Sequence, residues 1–369
     1  MNTQKQITQQ KNLKRSQKFG ILLAALLLAG LSARPAEGAA AGRYAYVSDS
    51  TGNEIFEFSI NASSGVLTAL ATCPSITSTS PGAAGVDPTG RFLYVVNRAA
   101  ANAVSWFTIT PATGCLTATG TIGASTGSQS LAISASGACL YVSNLVANSV
   151  EGYTINPLNG TLVLAGSVVS AGPQGIAVDP LGQFVYVANF SASQVSRFTT
   201  DLTNCTFLGT VPGTPLTTGL SPLGVAVDPV GQFLLVSNYT ATTVTSYPIT
   251  PSTGALGQAS VAKTQTGPDG VSVNQFGQFL YVADYGAAKV SSFNINPSNG
   301  VLTALATTTA GTGPIRTTVD QTGRFLFVAD AGSAQVSAFT IKATTGALTA
   351  VAGSPYSVGV APIMVATTP

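Results

Sequence analysis

The sequence predicts an all-β fold: a seven-bladed β-propeller of four-stranded antiparallel blades, closed by the C-terminal strand completing blade 1. Three observations predict it. A G-x-[aromatic or Cys]-x-x-V-x-[N/D] core recurs seven times. Its copies are GRYAYVSD (42–49), GRFLYVVN (90–97), GACLYVSN (137–144), GQFVYVAN (182–189), GQFLLVSN (231–238), GQFLYVAD (277–284) and GRFLFVAD (323–330). Successive starts lie 48, 47, 45, 49, 46 and 46 residues apart, the period of a repeat architecture. The strands built on this core carry consecutive apolar residues, such as Phe92, Leu93, Tyr94 and Val95. Both of their faces therefore need cover, as when blades stack around an axis. Finally, the first repeat lacks an inner strand, and the tail supplies one. APIMVATTP (361–369) aligns with SPLGVAVDP (221–229), placing Pro362, Val365 and Pro369 at Pro222, Val225 and Pro229.

Taken in order, the chain opens with Lys5, Lys11, Lys14, Arg15 and Lys18, followed by the apolar run GILLAALLLAG (20–30) and small residues. This pattern reads as a secretory signal peptide over residues 1–40, cleaved near Ala39 to Ala41. Eleven helical residues cover only about half of a roughly 30 Å hydrocarbon core, so no membrane span is expected after cleavage. No Cys follows the apolar run to carry a lipid. The expected location is periplasmic, extracellular or cell-surface. Residues 41–369 then read as one propeller domain.

Each repeat reads as four strands. Strand A starts after Gly-Pro or Ser-Pro, as in GPQGIAVD (172–179). A turn such as DPTG (87–90), DPLG (179–182) or DPVG (228–231) follows, with the Asp, Pro and Gly preferences of a type I turn. Strand B is the repeated core. Strand C reads VSWFTI (104–109), VSRFTT (195–200), VSSFNI (290–295) or VSAFTI (336–341). Turns such as NPLNG (156–160) and NPSNG (296–300) lead to a weaker strand D, as in VLTALA (301–306). Branched and aromatic runs between Gly, Pro, Asn and Asp clusters carry these assignments. Pro248 falls inside strand C of blade 5 and removes a ladder donor, which predicts a bulge or weak C–D pairing there.

From residue 41 onward nine basic residues face twelve acidic ones, so the formal +2 of the whole chain comes from the leader. No basic nucleic-acid footprint is present. The chain contains no His, which excludes a Ser-His-Asp triad. Cys73, Cys115, Cys139 and Cys205 show no C-x-x-C spacing, so neither a metal site nor a cofactor is expected. Their disulfide pairing is open. Cys115 and Cys139 should lie near one end of neighbouring blades, while a Cys73–Cys205 bridge is not expected.

Non-repeated polar residues at the strand-A and B–C end, near the axis, are the site candidates. Arg316 stands where Gly175, Gly224 and Gly270 stand in other blades. Asp269 and Gln174 sit one position earlier in blades 6 and 4, and Arg98 follows the strand-B Asn of blade 2. Together they suit a carboxylate- or lactone-bearing ligand, the arginines supplying paired hydrogen bonds. The bland alternative is an ion pair of Arg316 with Asp269 or Asp284. Repeated polar residues read as structural. Asp49, Asn97, Asn144, Asn189, Asn238, Asp284 and Asp330 are expected to cap their own B–C turns, and Asp87, Asp179, Asp228 and Asp320 to accept within A–B turns. Trp106, at a variable strand-C position, is expected to pack peripherally beneath a loop.

The YVSN (141–144), YVAN (186–189) and YVAD (281–284) cores, with the DPxG and NPxxG turns, resemble the lactonase-type β-propellers and their YVTN-repeat relatives. The resemblance covers essentially all of 41–369. It implies the propeller fold and, by analogy with the family's 6-phosphogluconolactonases, a lactone hydrolase using Asp269, Arg316 and Arg98. The family's muconate-type site resembles a His/Glu pair supported by arginines; this chain lacks the His. The residues themselves favour a monomeric binding or scaffold module, holding a small molecule, glycan or protein at one propeller face. A structural cell-surface role is a further alternative.

Overall fold

The contacts between neighbouring repeats organise the molecule. In the computed structural model the described residues are 42–99 and 103–369, and the expected leader, residues 1–40, lies outside them. Gly42–Pro369 form one compact unit. Seven antiparallel sheets carry the strands in A-B-C-D order. The inner strands are Pro362–Thr367, Pro81–Val86, Ser128–Ile133, Pro173–Val178, Pro222–Val227, Pro268–Val273 and Pro314–Val319, for blades 1 to 7. The C-terminal strand Pro362–Thr367 pairs with Arg43–Asp49, setting Val47 opposite Val365. Strand B is buried on both faces, as Phe184–Asn189 illustrates, which accounts for its unbroken apolar run.

Seven hydrophobic cores result, each at a joint between adjacent blades. The first aromatic of strand B packs beneath the C–D turn of the next blade. That turn closes on a residue at positive φ, which is Gly65, Gly114, Gly160, Gly254, Gly300 or Gly346 in six blades. A β-carbon on Gly114 would stand 2.2 Å from the Tyr44 ring, and one on Gly254 would stand 2.4 Å from Phe184. Glycine is therefore required twice over, by its φ and by the ring beneath it. In blades 1, 2, 4 and 6 strand B carries a Tyr two residues later whose hydroxyl donates to the carbonyl of the same glycine. Tyr46 reaches Gly114 at 2.8 Å, Tyr94 reaches Gly160 at 2.9 Å and Tyr281 reaches Gly346 at 3.0 Å.

This joint corrects the cysteine expectation. The bridges are Cys73–Cys115 and Cys139–Cys205, not Cys115–Cys139. Cys139 occupies the aromatic position of blade 3, and Cys205 (φ 59°) occupies the turn-glycine position of blade 4. A disulfide thus replaces the ring-on-glycine contact at that joint. Cys73 lies between the two short outer pieces of blade 1, Leu67–Ala69 and Ile76–Thr77, and that excursion carries it to Cys115 of blade 2.

The Asn/Asp position is structural, but its partners differ from the expected B–C turns. Asn97 accepts from Ser78 Oγ and donates to Ser105 Oγ, tying the segment before strand A to strand C. Asn189 repeats this with Ser170 and Ser196. Asp49 combines roles: it accepts from Thr51 and Gly52 in its own turn and from Val360 and Ala361 of the tail. The A–B turn acids behave as read; Asp228 Oδ1 accepts from Gln232 and Phe233 at 2.6 Å. Trp106 is 7 % exposed, packed within the joint of blades 2 and 3 and over Gly120, rather than beneath a peripheral loop. In blade 5 the C–D ladder is confined to Thr243–Ser246, with an isolated bridge beyond Pro248, as the proline requires.

Removal of residues 358–369 strips Val358 and Val365 from one core and Met364 and Ala366 from the next, and leaves Asp49 without its tail partners. It should lower Tm by about 10 °C, from roughly 2 kcal/mol per large apolar side chain, as measured by calorimetry. Burial pushes the carboxyls of Asp284 and Asp330 up to about 7 and about 6, against the hydrogen bonds from Ser291 and Ser337. The folded state then holds more protons than the unfolded chain between about pH 4 and 7, so stability falls as pH rises through that window. Asp284→Asn with Asp330→Asn, the residue of blades 2 to 5, should flatten that fall. It should raise Tm at pH 8 by about 3 °C while changing it little at pH 4.

Candidate functional site

In the inner strands of blades 2 to 7, the ladder register shifts just after the first residue or within the next two positions. The residue after that first position lines the axial channel in six blades: Ile363, Gln129, Gln174, Leu223, Asp269 and Ile315. Blade 2 has Gly82 there, and the Arg98 stem fills the space, its Cγ and Cδ 2.8 Å from where a Gly82 β-carbon would stand. With Arg316, these side chains enclose a cavity of about 170 Å³ at the channel mouth. It is polar along Arg98, Gln129, Gln174, Asp269 and Arg316, and apolar along Leu223, Ile315 and Ile363.

All four residues singled out from sequence, Arg98, Gln174, Asp269 and Arg316, line this one cavity. Gln129 was missed, although it is equivalent to Gln174 in the alignment. A second omission is the serine of the VSN and VSD cores. Ser48 Oγ donates to the Gly82 carbonyl at 2.6 Å, Ser143 to the Gln174 carbonyl at 2.5 Å, and Ser237 to the Asp269 carbonyl. Strand B of blades 1, 3 and 5 thereby fixes the channel-lining backbone of blades 2, 4 and 6. The signal available was the alternation of Ser with Val96, Ala188, Ala283 and Ala329 at that position.

The charged groups are not consumed by one another. Among the described residues the only ion pair within 4.0 Å is Arg43–Asp320, so Arg316 closes on neither Asp269 nor Asp284. The Arg316 stem crosses Gly270, where a β-carbon would come within 3.0 Å of Cδ, and its Nε is buried without a partner. Arg98 donates to Gln129 Oε1 at 2.8 Å, and Gln129 in turn donates to the Gly127 carbonyl. Asp269 is part-exposed in the cavity, but surrounding protein pushes its carboxyl above the usual range, more than Arg316 and Arg98 pull it down. Arg98 is exposed overall, but desolvation by the atoms around its guanidinium lowers its pKa, with the nearby Arg316 charge adding to it and Asp269 opposing. Two guanidinium groups and one carboxyl thus face a small cavity, an arrangement that receives an anion or a polarised carbonyl beside a proton acceptor.

The fold is shared with solved structures. A candidate 6-phosphogluconolactonase of Bacteroides uniformis superposes with TM-score 0.80 at 17% identity, over 89% of this chain and 100% of that one. A candidate 6-phosphogluconolactonase of Bacteroides fragilis gives 0.78 at 19%, over 90% and 100%. The periplasmic gluconolactonase of Pseudomonas aeruginosa gives 0.76 at 17%, over 89% and 99%. No curated protein sequence matches this chain. The family model described as lactonase, seven-bladed β-propeller, matches residues 32–129, 121–212 and 259–365, and the chain belongs to that family.

Proposed function

We propose that the channel mouth binds a small lactone or the hydroxy acid derived from it, and that it hydrolyses the lactone. The observation that carries this reading is the convergence of Arg316, Arg98 and Asp269 on one cavity without a closed ion pair. In this reading Arg316 and Arg98 hold the lactone carbonyl oxygen, and Asp269 takes a proton from water. The water oxygen forms a bond to the carbonyl carbon. The ring C–O bond then breaks, and Asp269 returns the proton to the leaving alkoxide. A carboxyl pushed upward by burial is a better base at neutral pH than an ordinary Asp, which suits that step. Family membership and the lactonase neighbours support the chemistry by analogy. We also propose export, on the basic start and apolar run of residues 1–30.

A binding module remains the second reading, favoured by the lack of any His in the chain. One experiment separates the two. Purified protein is assayed against a panel of γ- and δ-lactones, and the corresponding hydroxy acids are titrated by calorimetry. Asp269→Asn should lower kcat about 100-fold or more with the hydroxy acid still bound. Arg316→Ala should lower kcat/KM by a similar factor and weaken hydroxy-acid binding about tenfold. Binding lost in Arg316→Ala with no hydrolysis by wild type selects the binding module. Hydrolysis unchanged in both variants removes this cavity from consideration.

A further inference from the structure

A second polar corner lies on the outer strands of blade 1. Glu57 belongs to strand C (Glu54–Ile60), Cys73 to the excursion between the two outer pieces, and Cys115 to the C–D turn of blade 2. A Glu57 carboxylate oxygen and the two sulfurs all lie within 4.8 Å of one another. Glu57 is 8 % exposed. Its Oε1 accepts the Leu116 N–H at 3.0 Å, while Oε2 is buried with no partner among the described residues. A cavity of about 230 Å³ opens beside the group and is lined by Glu57, Cys73, Leu70 and Ile76. The other bridge has none of this: Cys139 and Cys205 are 2 % and 0 % exposed, among apolar neighbours. Cys73 and Cys115 are both part-exposed.

Bonded to each other, two sulfurs are poor ligands; as thiolates they are strong ones. Ligand atoms around a tetrahedral zinc stand about 3.3–3.8 Å apart, within small side-chain adjustments of this cluster. We propose that reduction of Cys73–Cys115 turns this corner into a two-thiolate, one-carboxylate site for a thiophilic divalent cation of the zinc class. A thiol or phosphine reductant supplies two electrons. The S–S bond breaks and two S–H bonds form: two thiols hand over their protons and become a disulfide, or a phosphine takes the oxygen of one water, whose two protons go to the sulfurs, and becomes its oxide. The cation then displaces both thiol protons and takes Glu57 Oε2, with a water from the cavity as fourth ligand. The Leu116 N–H holds the carboxylate in place from its other oxygen. The 42-residue separation of Cys73 and Cys115 hides the site from any search for closely spaced ligands.

Cobalt(II) is the probe. The full chain is reduced with a phosphine, freed of excess reagent and titrated with Co²⁺ under inert gas. The expected result is one Co²⁺ per chain with a thiolate-to-cobalt charge-transfer band, absent from the unreduced protein. Glu57→Gln should weaken binding at least tenfold. In the reduced wild type, Co²⁺ should protect Cys73 and Cys115, but not Cys139 and Cys205, from alkylation, as read by peptide mass spectrometry. Absence of the band overturns the proposal. So does a band indifferent to Glu57→Gln, or protection of the other cysteine pair. A reduced chain that unfolds and is not refolded by Co²⁺, followed by circular dichroism, overturns it equally.

Discussion

The seating of each C–D turn on the preceding blade's strand B is the contact on which the rest depends. A four-stranded blade with two apolar faces cannot be stable alone, so every face must meet a neighbour at a fixed angle. The positive-φ residue of the turn sets how closely the blades approach. The ring beneath it sets the lateral position, and the strand-B tyrosine locks the turn by its carbonyl. Repeated around the circle, that geometry leaves a gap of one strand in blade 1. The tail fills it and is held by Asp49, which spends its carboxylate on the tail instead of on a side-chain hydroxyl as the asparagines do.

The same arrangement places the chemistry. Inner strands neighbour one another around the axis, so a residue at one repeat position becomes a ring at the channel mouth. The ring is where the repeats stop repeating. Its members are Gln, Gln, Leu, Asp, Ile, Ile and, in blade 2, a glycine covered by Arg98. Serines one blade back fix three of these positions through the main chain, leaving the side chains free for a ligand. Arg316 enters from a position that is glycine in blades 4, 5 and 6, and its Nε pays no hydrogen bond within the protein.

Much of this was legible in the sequence for a physical reason. Two-faced strands recur seven times and turn glycines nearly as often, so each copy checks the others, and the tail matches the inner strand that the first repeat lacks. The departure of Arg316 from a glycine position was visible against that background, and so were Asp269 and Gln174 beside it. What was not legible depends on which side chains meet across a joint. The cysteine pairing needed the observation that Cys205 sits at the turn-glycine place rather than beside it, so that its partner is the residue occupying the aromatic place one blade earlier. The Asn/Asp position was read as a turn cap because its nearest neighbours in sequence are turn residues. One of its two actual partners, Ser78 for Asn97 or Ser170 for Asn189, lies some twenty residues away, on a segment whose path the sequence does not disclose. Cys73 was out of reach for the same reason, since an irregular excursion carries it to blade 2.

The exchange of ring and glycine for two cysteines at a single joint shows that the socket tolerates either a packed or a covalent occupant without altering the repeat. The same backbone geometry recurs at Phe184–Gly254, Phe233–Gly300 and Phe279–Gly346. The blade boundary is thus a standard coupling whose closure is covalent at one seam and packed at the others, with the sheets on either side built alike.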